Sequence, residues 1–327
     1  MIRSIRLLLS AILLTAIASG SAMAQDKISF SGTVFSDYSY QVSSPDDGAK
    51  GENGFGFRRV YLTADYKMSD KFSGRFRLEG ADDATNAQGK PAPFVKDLYL
   101  RWNDAFGDSH RVTFGLTSPP MWTAAESQWG YRSLEKTIQD RIKIASSRDI
   151  GIVVDGPVSD KVRYAIMVAN NSGGKAETDK YKRVYGQLDF RPADNIRATL
   201  GADYYQLEGG SSTSMNAFIG YTLEKARLGI EGVYNPKSFD ATEDTDNQFG
   251  LSLFANADLT DKQRIVARYD LQDRDNLGTQ TSSNWALLGV AFLVDKNVQI
   301  IPNVIYEKKD VDNDASVLAR LTVWANF

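Results

Sequence analysis

Five arginines in the first third of the chain could bind anions if the fold brings them to one surface. They are Arg59, Arg75, Arg77, Arg101 and Arg111. A guanidinium group stays charged at physiological pH and can hold a phosphate or carboxylate through two parallel hydrogen bonds. A row of such groups along a passage lowers the electrostatic barrier for anions. These residue types therefore point to the binding or passage of anions.

Acidic residues compete with this interpretation. The polar faces of the predicted strands also carry Asp65, Glu79, Asp97, Asp149, Asp189, Asp203, Glu231 and Asp270. They carry further arginines at Arg163, Arg183, Arg197, Arg227, Arg264, Arg268 and Arg320. Transverse ion pairs between the two sets would stiffen the wall and leave little anion preference. The grouping of five arginines on four consecutive predicted strands favours an anion path.

The elements that position these residues are strands with two different faces. Apolar and polar residues alternate over 95–102, 162–168, 196–205 and 265–271. A period of two is the spacing of side chains on one side of a β-strand. The segments run about 9 to 11 residues, which is the length of a tilted strand that crosses a bilayer.

The connections between these strands alternate between short and long. Seven are short and rich in turn formers: 69–71, 104–109, 157–161, 192–195, 224–225, 260–262 and 295–297. Eight are longer and polar: about 41–55, 81–94, 117–147, 170–181, 207–214, 235–247, 273–283 and 308–314. Fifteen connections join sixteen strands. Short turns on one rim and long loops on the other are typical of outer-membrane barrels.

The N-terminus predicts export. Arg3 and Arg6 precede an apolar run over 7–18, and small residues stand at Ala22 and Ala24. This is the order of a cleavable signal peptide, so we expect residues 1–24 to be removed by cleavage between Ala24 and Gln25. The chain contains no cysteine, which excludes disulfides and thiolate metal sites. Its net charge of −3 gives no indication of a nucleic-acid partner.

The C-terminus agrees with a barrel. Alternate apolar residues from Val317 end on Phe327, which resembles the terminal strand that the barrel-insertion machinery recognises. We therefore predict that residues 25–327 form an all-β, transmembrane antiparallel barrel of about sixteen strands in the outer membrane, in contact with lipid and lipopolysaccharide. The alternative is a soluble periplasmic β-sandwich, since soluble strands also alternate.

The third long connection, 117–147, is too long for a simple surface loop. Leu134, Ile138 and Ile142 recur at a spacing of four, which predicts a short helix with one apolar stripe. The helix would carry Arg132, Lys136, Arg141 and Lys143. We expect the connection to fold into the lumen and to form the constriction. An extracellular lid or a subunit-contact loop is the alternative.

Several segments resemble the phosphate-selective porin family. Residues 57–62 (FRRVYL), 76–80 (FRLEG) and 96–102 (KDLYLRW) are similar to its early strands. Residues 114–120 (FGLTSPP) and 148–152 (RDIGI) are similar to the sequences that flank its long third loop. The resemblance implies a sixteen-stranded barrel, usually trimeric, with an arginine-lined route and an inward-folded third loop.

The function that these observations favour is passive diffusion of small hydrophilic solutes and ions, with a preference for anions such as phosphate. Such a channel requires no cofactor, no metal and no catalytic group. A structural or adhesive barrel with an occluded lumen is the alternative. A hydrolase would depend on His110, the only histidine, which lies in a predicted turn without a nucleophile signature.

Overall fold

The computed structural model of the chain describes residues 27–82, 84–144, 146–239, 245–276 and 278–327. Within these residues the chain forms sixteen antiparallel strands that close into one barrel. The predicted fold class is confirmed. The predicted signal peptide, with Ala24 and Gln25, lies outside the described residues. No helix among the described residues is long and apolar enough to span a membrane.

The strands vary in length around the barrel. Those from β3 to β8 are the shorter ones, and most of those from β9 to β16 are longer, up to the 17 residues of β14. Their bounds are β1 Ile28–Ser43, β2 Asn53–Lys67, β3 Phe72–Gly80, β4 Phe94–Trp102, β5 Arg111–Thr117, β6 Asp149–Ser159, β7 Val162–Ala169, β8 Arg183–Ala193, β9 Ile196–Leu207, β10 Gly210–Thr222, β11 Ala226–Phe239, β12 Thr245–Thr260, β13 Gln263–Asn276, β14 Thr279–Asp295, β15 Val298–Lys309 and β16 Ser316–Asn326.

Each strand pairs with its neighbours in the sequence, and β1 closes the barrel against β16. The closure continues to the last residue. The amide of Gly32 donates to the carbonyl of Phe327 at 2.7 Å, and the amide of Phe327 donates to the carbonyl of Gly32 at 3.0 Å. Closure leaves no strand edge unpaired, as lipid requires, because lipid offers no hydrogen-bond partner to an exposed backbone.

The seven short connections lie where the sequence predicts them, but two predicted long loops are wrong. β9 ends at Leu207 and β10 begins at Gly210, so 207–214 is a tight hairpin. β13 ends at Asn276 and β14 begins at Thr279, so 273–283 is another. Polar residues such as Ser212 and Thr281 belong to strands that continue outward, because a strand in water can be polar on both faces.

The two faces of the barrel differ in chemistry. Large apolar side chains such as Phe55, Phe114 and Leu200 point outward and are exposed. Polar and charged side chains such as Glu79, Asp203 and Asp270 point inward and are buried. One patch departs from this rule. On β10 and β12–β15 the inner face is apolar as well, with buried Phe218, Phe254, Val266, Trp285, Leu287 and Ile301.

Two β-bulges among the first four strands change which residues face inward. The pairing of β1 with β2 shifts by one residue at Arg58, so that Phe57 and Val60 both face outward while Arg58 and Arg59 both face inward. The pairing of β3 with β4 shifts in the same way at Lys96. A bulge places two consecutive residues opposite one residue of the partner strand. Each bulge therefore adds one charged side chain to the interior.

Candidate functional site

The connection between β5 and β6, residues 118–148, is here called the inner segment. It contains two short helices, α1 (Thr123–Trp129) and α2 (Ile138–Arg141). Its side chains and carbonyls bond to inward-facing residues on β2, β8, β10–β13 and β16. Since these strands surround the lumen, the segment reaches all of them only by crossing the barrel interior.

Three arginines of the wall bind carbonyls in the middle of the inner segment. Arg58 and Arg320 donate to the carbonyl of Leu134 at 2.9 and 2.7 Å. Arg268 donates to the carbonyl of Lys136. A helix would use these carbonyls internally, and Gly130 ends α1 in a left-handed conformation with a φ of 70°. The helix is therefore shorter than predicted: α2 includes Ile138 but not Leu134 or Ile142, and α1 lies before the predicted apolar stripe.

The apolar side of the inner segment packs on the apolar patch of the inner wall. Trp129 is fully buried, with its ring centroid 5.5 Å from that of Phe254. Leu134 joins the same cluster, whereas Ile138 and Ile142 pack in a second one with Val233. Burial also raises the pKa of the Tyr131 phenol in this cluster. Removing this apolar area from water on both surfaces holds the segment against one side of the barrel.

Buried polar contacts fix the same side of the segment. Gln139 donates to Glu231 at 2.7 Å and accepts from Asn216 at 3.1 Å. Arg141 donates to Asp270 at 3.0 Å. Because the segment fills the space next to β10–β15, the remaining open space lies along β2–β9, where the early arginines are.

Of the five arginines predicted from the sequence, Arg75, Arg101 and Arg111 line a cavity in this open space, and Arg59 and Arg77 pair with buried acids of the wall. Arg59 bonds to Glu79, Arg75 to Asp65 at 2.6 Å, and Arg111 to Asp155 at 2.5 Å. Arg77 lies 3.2 Å from Asp97. Arg101 donates to Thr113 at 3.1 Å, lies over the Tyr99 ring, and has no carboxylate within ion-pair distance among the described residues.

Several of the inward carboxylates are shared between two cations. Asp97 lies between Arg77 and Arg148, Asp155 between Arg111 and Arg163, and Asp189 between Arg191 and Arg197. Glu79 lies between Arg59 and Lys96 in the same way. Each of these groups has one negative charge for two positive charges. The ion pairs therefore orient the cations without neutralising them.

The cations of the inner segment have different surroundings. Arg132 lies 3.3 Å from Glu126 and 3.8 Å from Asp140, and Lys136 lies 3.8 Å from the same Asp140. Arg141 points into the wall, towards Asp270 and over the Trp285 ring. Lys143 is exposed and has a positive φ of 59°. Of these four cations, Arg132 and Lys136 are therefore the two that lie close together near the open space.

Several interior cations were not named by the sequence analysis, among them Arg58, Lys96, Arg148 and Arg191. The first two are bulge residues, and their signal is a pair of outward apolar residues three positions apart, Phe57 with Val60 and Val95 with Leu98. Arg148 ends the inner segment and bonds to Asp97. Strict alternation places only every second residue inside, so it excludes a bulge residue by construction.

The open space contains a cavity of about 460 Å³ at the end of the barrel where the short turns lie. Arg75, Arg101, Arg111 and Arg163 contribute to its lining, together with Pro119 of the inner segment. Among the described residues no group of His, Cys, Asp and Glu has the arrangement of a metal site.

Comparisons with known proteins agree with this architecture. Three solved structures are similar: the anion-selective porin from Comamonas acidovorans (TM-score 0.67, 15% identity, 92% of this chain and 99% of that chain), the trimer form of in-vitro folded OmpT from Vibrio cholerae (0.65, 11%, 92% and 99%) and OmpF of Salmonella typhi in complex with daunomycin (0.68, 11%, 92% and 97%). No curated protein sequence matches the chain significantly. The model of the Gram-negative porin family matches residues 10–314, so the chain belongs to this family of outer-membrane channel proteins.

Proposed function

We propose that the protein is a passive diffusion channel for small hydrophilic solutes that favours anions such as phosphate. The observation that carries the anion preference is the sharing of Asp97, Asp155 and Asp189 between pairs of arginines, with Arg101 unpaired nearby. The open space therefore has an excess of positive charge, and a charged wall of one sign raises the local concentration of the opposite ion.

The inner segment would form the constriction of this channel. On the wall side the narrow part is bounded by Arg59, Arg77 and Lys96, which belong to β2, β3 and β4. On the segment side it is bounded by Arg132 and Lys136, with Asp140 between them. Cations on both sides support a general anion preference. The acids among them support a channel that conducts several small anions rather than phosphate alone.

The protein would reach the outer membrane after cleavage between Ala24 and Gln25 and would insert with Phe327 as its terminal signal. A homotrimer is the proposed assembly. Its support is the resemblance of the early strands to a usually trimeric family and the trimeric form of one structural neighbour.

The experiment that tests the proposal is a reversal-potential measurement across a planar bilayer with a potassium chloride gradient. An anion-favouring channel shifts the reversal potential towards the chloride equilibrium potential, and the shift shrinks at high salt because screening weakens the field of the arginines. A shift towards the potassium potential would contradict the anion preference.

An occluded structural barrel remains the second candidate, and the packing of the inner segment favours it. The inner segment is held inside the lumen by the two apolar clusters and by the arginine contacts to Leu134 and Lys136. Conductance decides between the two functions. Regular single-channel steps from the purified protein would exclude occlusion, whereas silence of correctly folded protein would support it.

A further inference from the structure

The two mouths of the barrel differ in charge. At the short-turn end, seven arginines and four carboxylates line the 460 Å³ cavity. A neighbouring cavity of about 440 Å³ shares Arg75, Tyr99 and Arg101 with it and adds two cations, Lys27 and Lys67, and one carboxylate, Asp65. In outer-membrane barrels the short turns face the periplasm. The periplasmic mouth is therefore strongly basic.

The opposite mouth lies at the end of the long loops and is weakly acidic. Its cavity of about 430 Å³ is lined by Arg58 and Arg320 against Asp37, Glu52 and Asp82. Both arginines are already engaged with the carbonyl of Leu134 in the inner segment. The inner segment lies between the two mouths, so an anion on one side meets a different field from an anion on the other.

The basic mouth holds its arginines in a defined arrangement. Arg111 binds Asp155 at 2.5 Å, and Arg163 lies 3.4 Å from the same oxygen. Arg197 binds Asp189 at 2.5 Å, and Arg191 lies 3.9 Å from that carboxylate. In each group one arginine is paired closely and the second is more distant from the carboxylate. Arg191 is also the more exposed arginine of its group, whereas Arg163 donates in addition to the carbonyl of Ser109.

We propose that the periplasmic mouth is a binding site for small polyvalent anions, molecules that carry two or more phosphate or carboxylate groups. The site deepens the proposed anion channel and rests on it for its position in the path. Two features support this ligand class. Arg163, Arg191 and Arg101 offer several separate guanidinium groups around one cavity, and the cavity volume lies in the range of small-ligand sites.

The number of charges on the ligand decides the strength of binding. A chloride ion can contact one guanidinium group at a time, and salt screens that contact. A polyvalent anion can bridge two of the arginine groups at once, each through a charge-assisted hydrogen bond. Such an anion binds long enough to interrupt the current, whereas a monovalent anion passes.

Because the two mouths differ in charge, binding of a polyvalent anion depends on the side from which it is added. A polyvalent anion from the periplasm reaches the basic cavity directly. From outside it must first pass Asp37, Glu52 and Asp82 and then the inner segment. The site therefore predicts interruption of the current by a polyvalent anion added on the short-turn side, with little effect from the long-loop side.

The test records single channels in a planar bilayer while pyrophosphate or citrate is added to one side. Because the chain has no cysteine, the variant Asp70→Cys gives one thiol at an exposed residue of the β2–β3 turn. A bulky thiol reagent that reacts from one side then shows which mouth faces that side. We expect blocking events to be about tenfold more frequent from the short-turn side. Equal blocking from both sides would overturn the proposal.

The variant that tests the residues is the double substitution Arg163→Gln and Arg191→Gln. It removes the more distant arginine of two groups and leaves the close pairs of Arg111 with Asp155 and Arg197 with Asp189. We expect blocking from the short-turn side to become about tenfold less frequent. The matched control is Lys237→Gln, which removes the second cation beside Asp246 near the opposite end of the barrel and leaves Arg274. Equal effects of both variants would contradict the site.

Comparison of pyrophosphate with citrate, together with a direct measurement of binding, distinguishes the remaining outcomes. Blocking by pyrophosphate alone assigns the site to phosphate groups, and blocking by both assigns it to polyvalent anions in general. Isothermal titration of pyrophosphate and citrate into detergent-solubilised protein tests binding even if the channel is silent. An anion-selective channel without sided blocking or measurable binding would remove the site and leave the proposed channel. A cation-selective channel that still binds pyrophosphate or citrate would contradict the proposed anion channel and leave the binding site.

Discussion

Arg111 and Arg163 bind the same carboxylate oxygen of Asp155, at 2.5 and 3.4 Å, from adjacent positions on either side of β6. Asp97 and Asp189 are also shared between two arginines each, but through different carboxylate oxygens. The sequence leaves open a choice between ion pairs and an anion path, and this sharing bears on it. The acids do form ion pairs, but Asp97, Asp155 and Asp189 each serve two arginines, so these ion pairs order the cations and leave a positive excess beside them.

The unpaired charge of Arg101 gives the most direct test of the anion preference. Arg101→Gln keeps a donor for Thr113 and removes one charge from the cavity. We expect the anion-to-cation permeability ratio to fall roughly tenfold, because a charge roughly 6 Å from the path in water favours an anion and disfavours a cation by about 0.7 kcal/mol each. Reversal potentials in a salt gradient measure the ratio.

Lys71→Gln is the control for this variant, because it removes a charge of the same sign from an exposed residue of a short turn. The expected shift for Lys71→Gln is small. If the two substitutions shift the ratio equally, net charge rather than the position of Arg101 determines the selectivity.

The sequence was sufficient for the strands because lipid imposes a strict rule on them. Each outward residue must be apolar and each backbone group must pair with a neighbouring strand, so alternation over 196–205 or 265–271 identifies strands directly. The points at which β9 and β13 end and β10 and β14 begin could not be obtained in this way. Above the membrane the outward residues can be polar, and the alternation that marks a strand disappears.

The interior was less predictable from alternation. The rule that apolar residues face lipid fails for Phe254 and Trp285, which face inward and are covered by the inner segment. Their signal is a strand that is apolar on both faces, such as the run from Trp285 to Phe292. The break between α1 and α2 left no such signal. It depends on Arg268 and Arg320, which are distant in sequence and bind carbonyls of the inner segment.

Arg268 is the residue whose loss we expect to loosen the inner segment most. It is buried, bonds to Asp270 at 2.7 Å and to the carbonyl of Lys136, and lies between the rings of Trp129 and Trp285. Arg268→Met would leave Asp270 with Arg141 alone and cost about 3 kcal/mol of stability. The variant should unfold at a lower temperature and show noisier single-channel currents.

Arg264→Met provides the comparison for Arg268→Met. Arg264 lies on the same strand and the same face, pairs with Asp258 near the short-turn rim and contacts the inner segment through Tyr131 alone, and the side chains of the ion pair are partly exposed. Its removal should lower the unfolding temperature less and raise the current noise less than the loss of Arg268. Equal noise in the two variants would show that Arg268 does not hold the segment.

The bulge at Arg58 makes a prediction about deletions. Removing Arg58 joins Phe57 to Arg59 and restores regular pairing with β1, because Arg59 already pairs with Phe35 and Phe57 with Ser36. The barrel should therefore fold without Arg58. Heat-dependent mobility on a denaturing gel, together with circular dichroism, measures folding.

Deletion of Thr63 in the same strand is the contrasting case. Thr63 pairs regularly with Ser31. Its removal shifts the rest of the strand, before or after the deletion, by one residue, so that inward side chains there turn outward and outward ones inward. We expect this variant not to form a barrel. Folding of both deletions, or of neither, would contradict the assignment of the extra residue to Arg58.

The contact of Gly32 with Phe327 predicts that the seam between β1 and β16 is sensitive to side-chain size. A Cβ atom at Gly32 would overlap the ring of Phe327, whose backbone is held against Gly32 by the two hydrogen bonds of the seam. Gly32→Val should therefore displace the ring and destabilise the barrel by about 2 kcal/mol, the typical cost of overpacking. Gly54→Val makes the same change on β2, where no atom lies within 4 Å of the new Cβ. We expect thermal unfolding at a lower temperature for Gly32→Val and an unchanged or slightly higher temperature for Gly54→Val, whose branched side chain favours a strand. The reverse order of the two unfolding temperatures would show that the terminal ring does not contribute to closure.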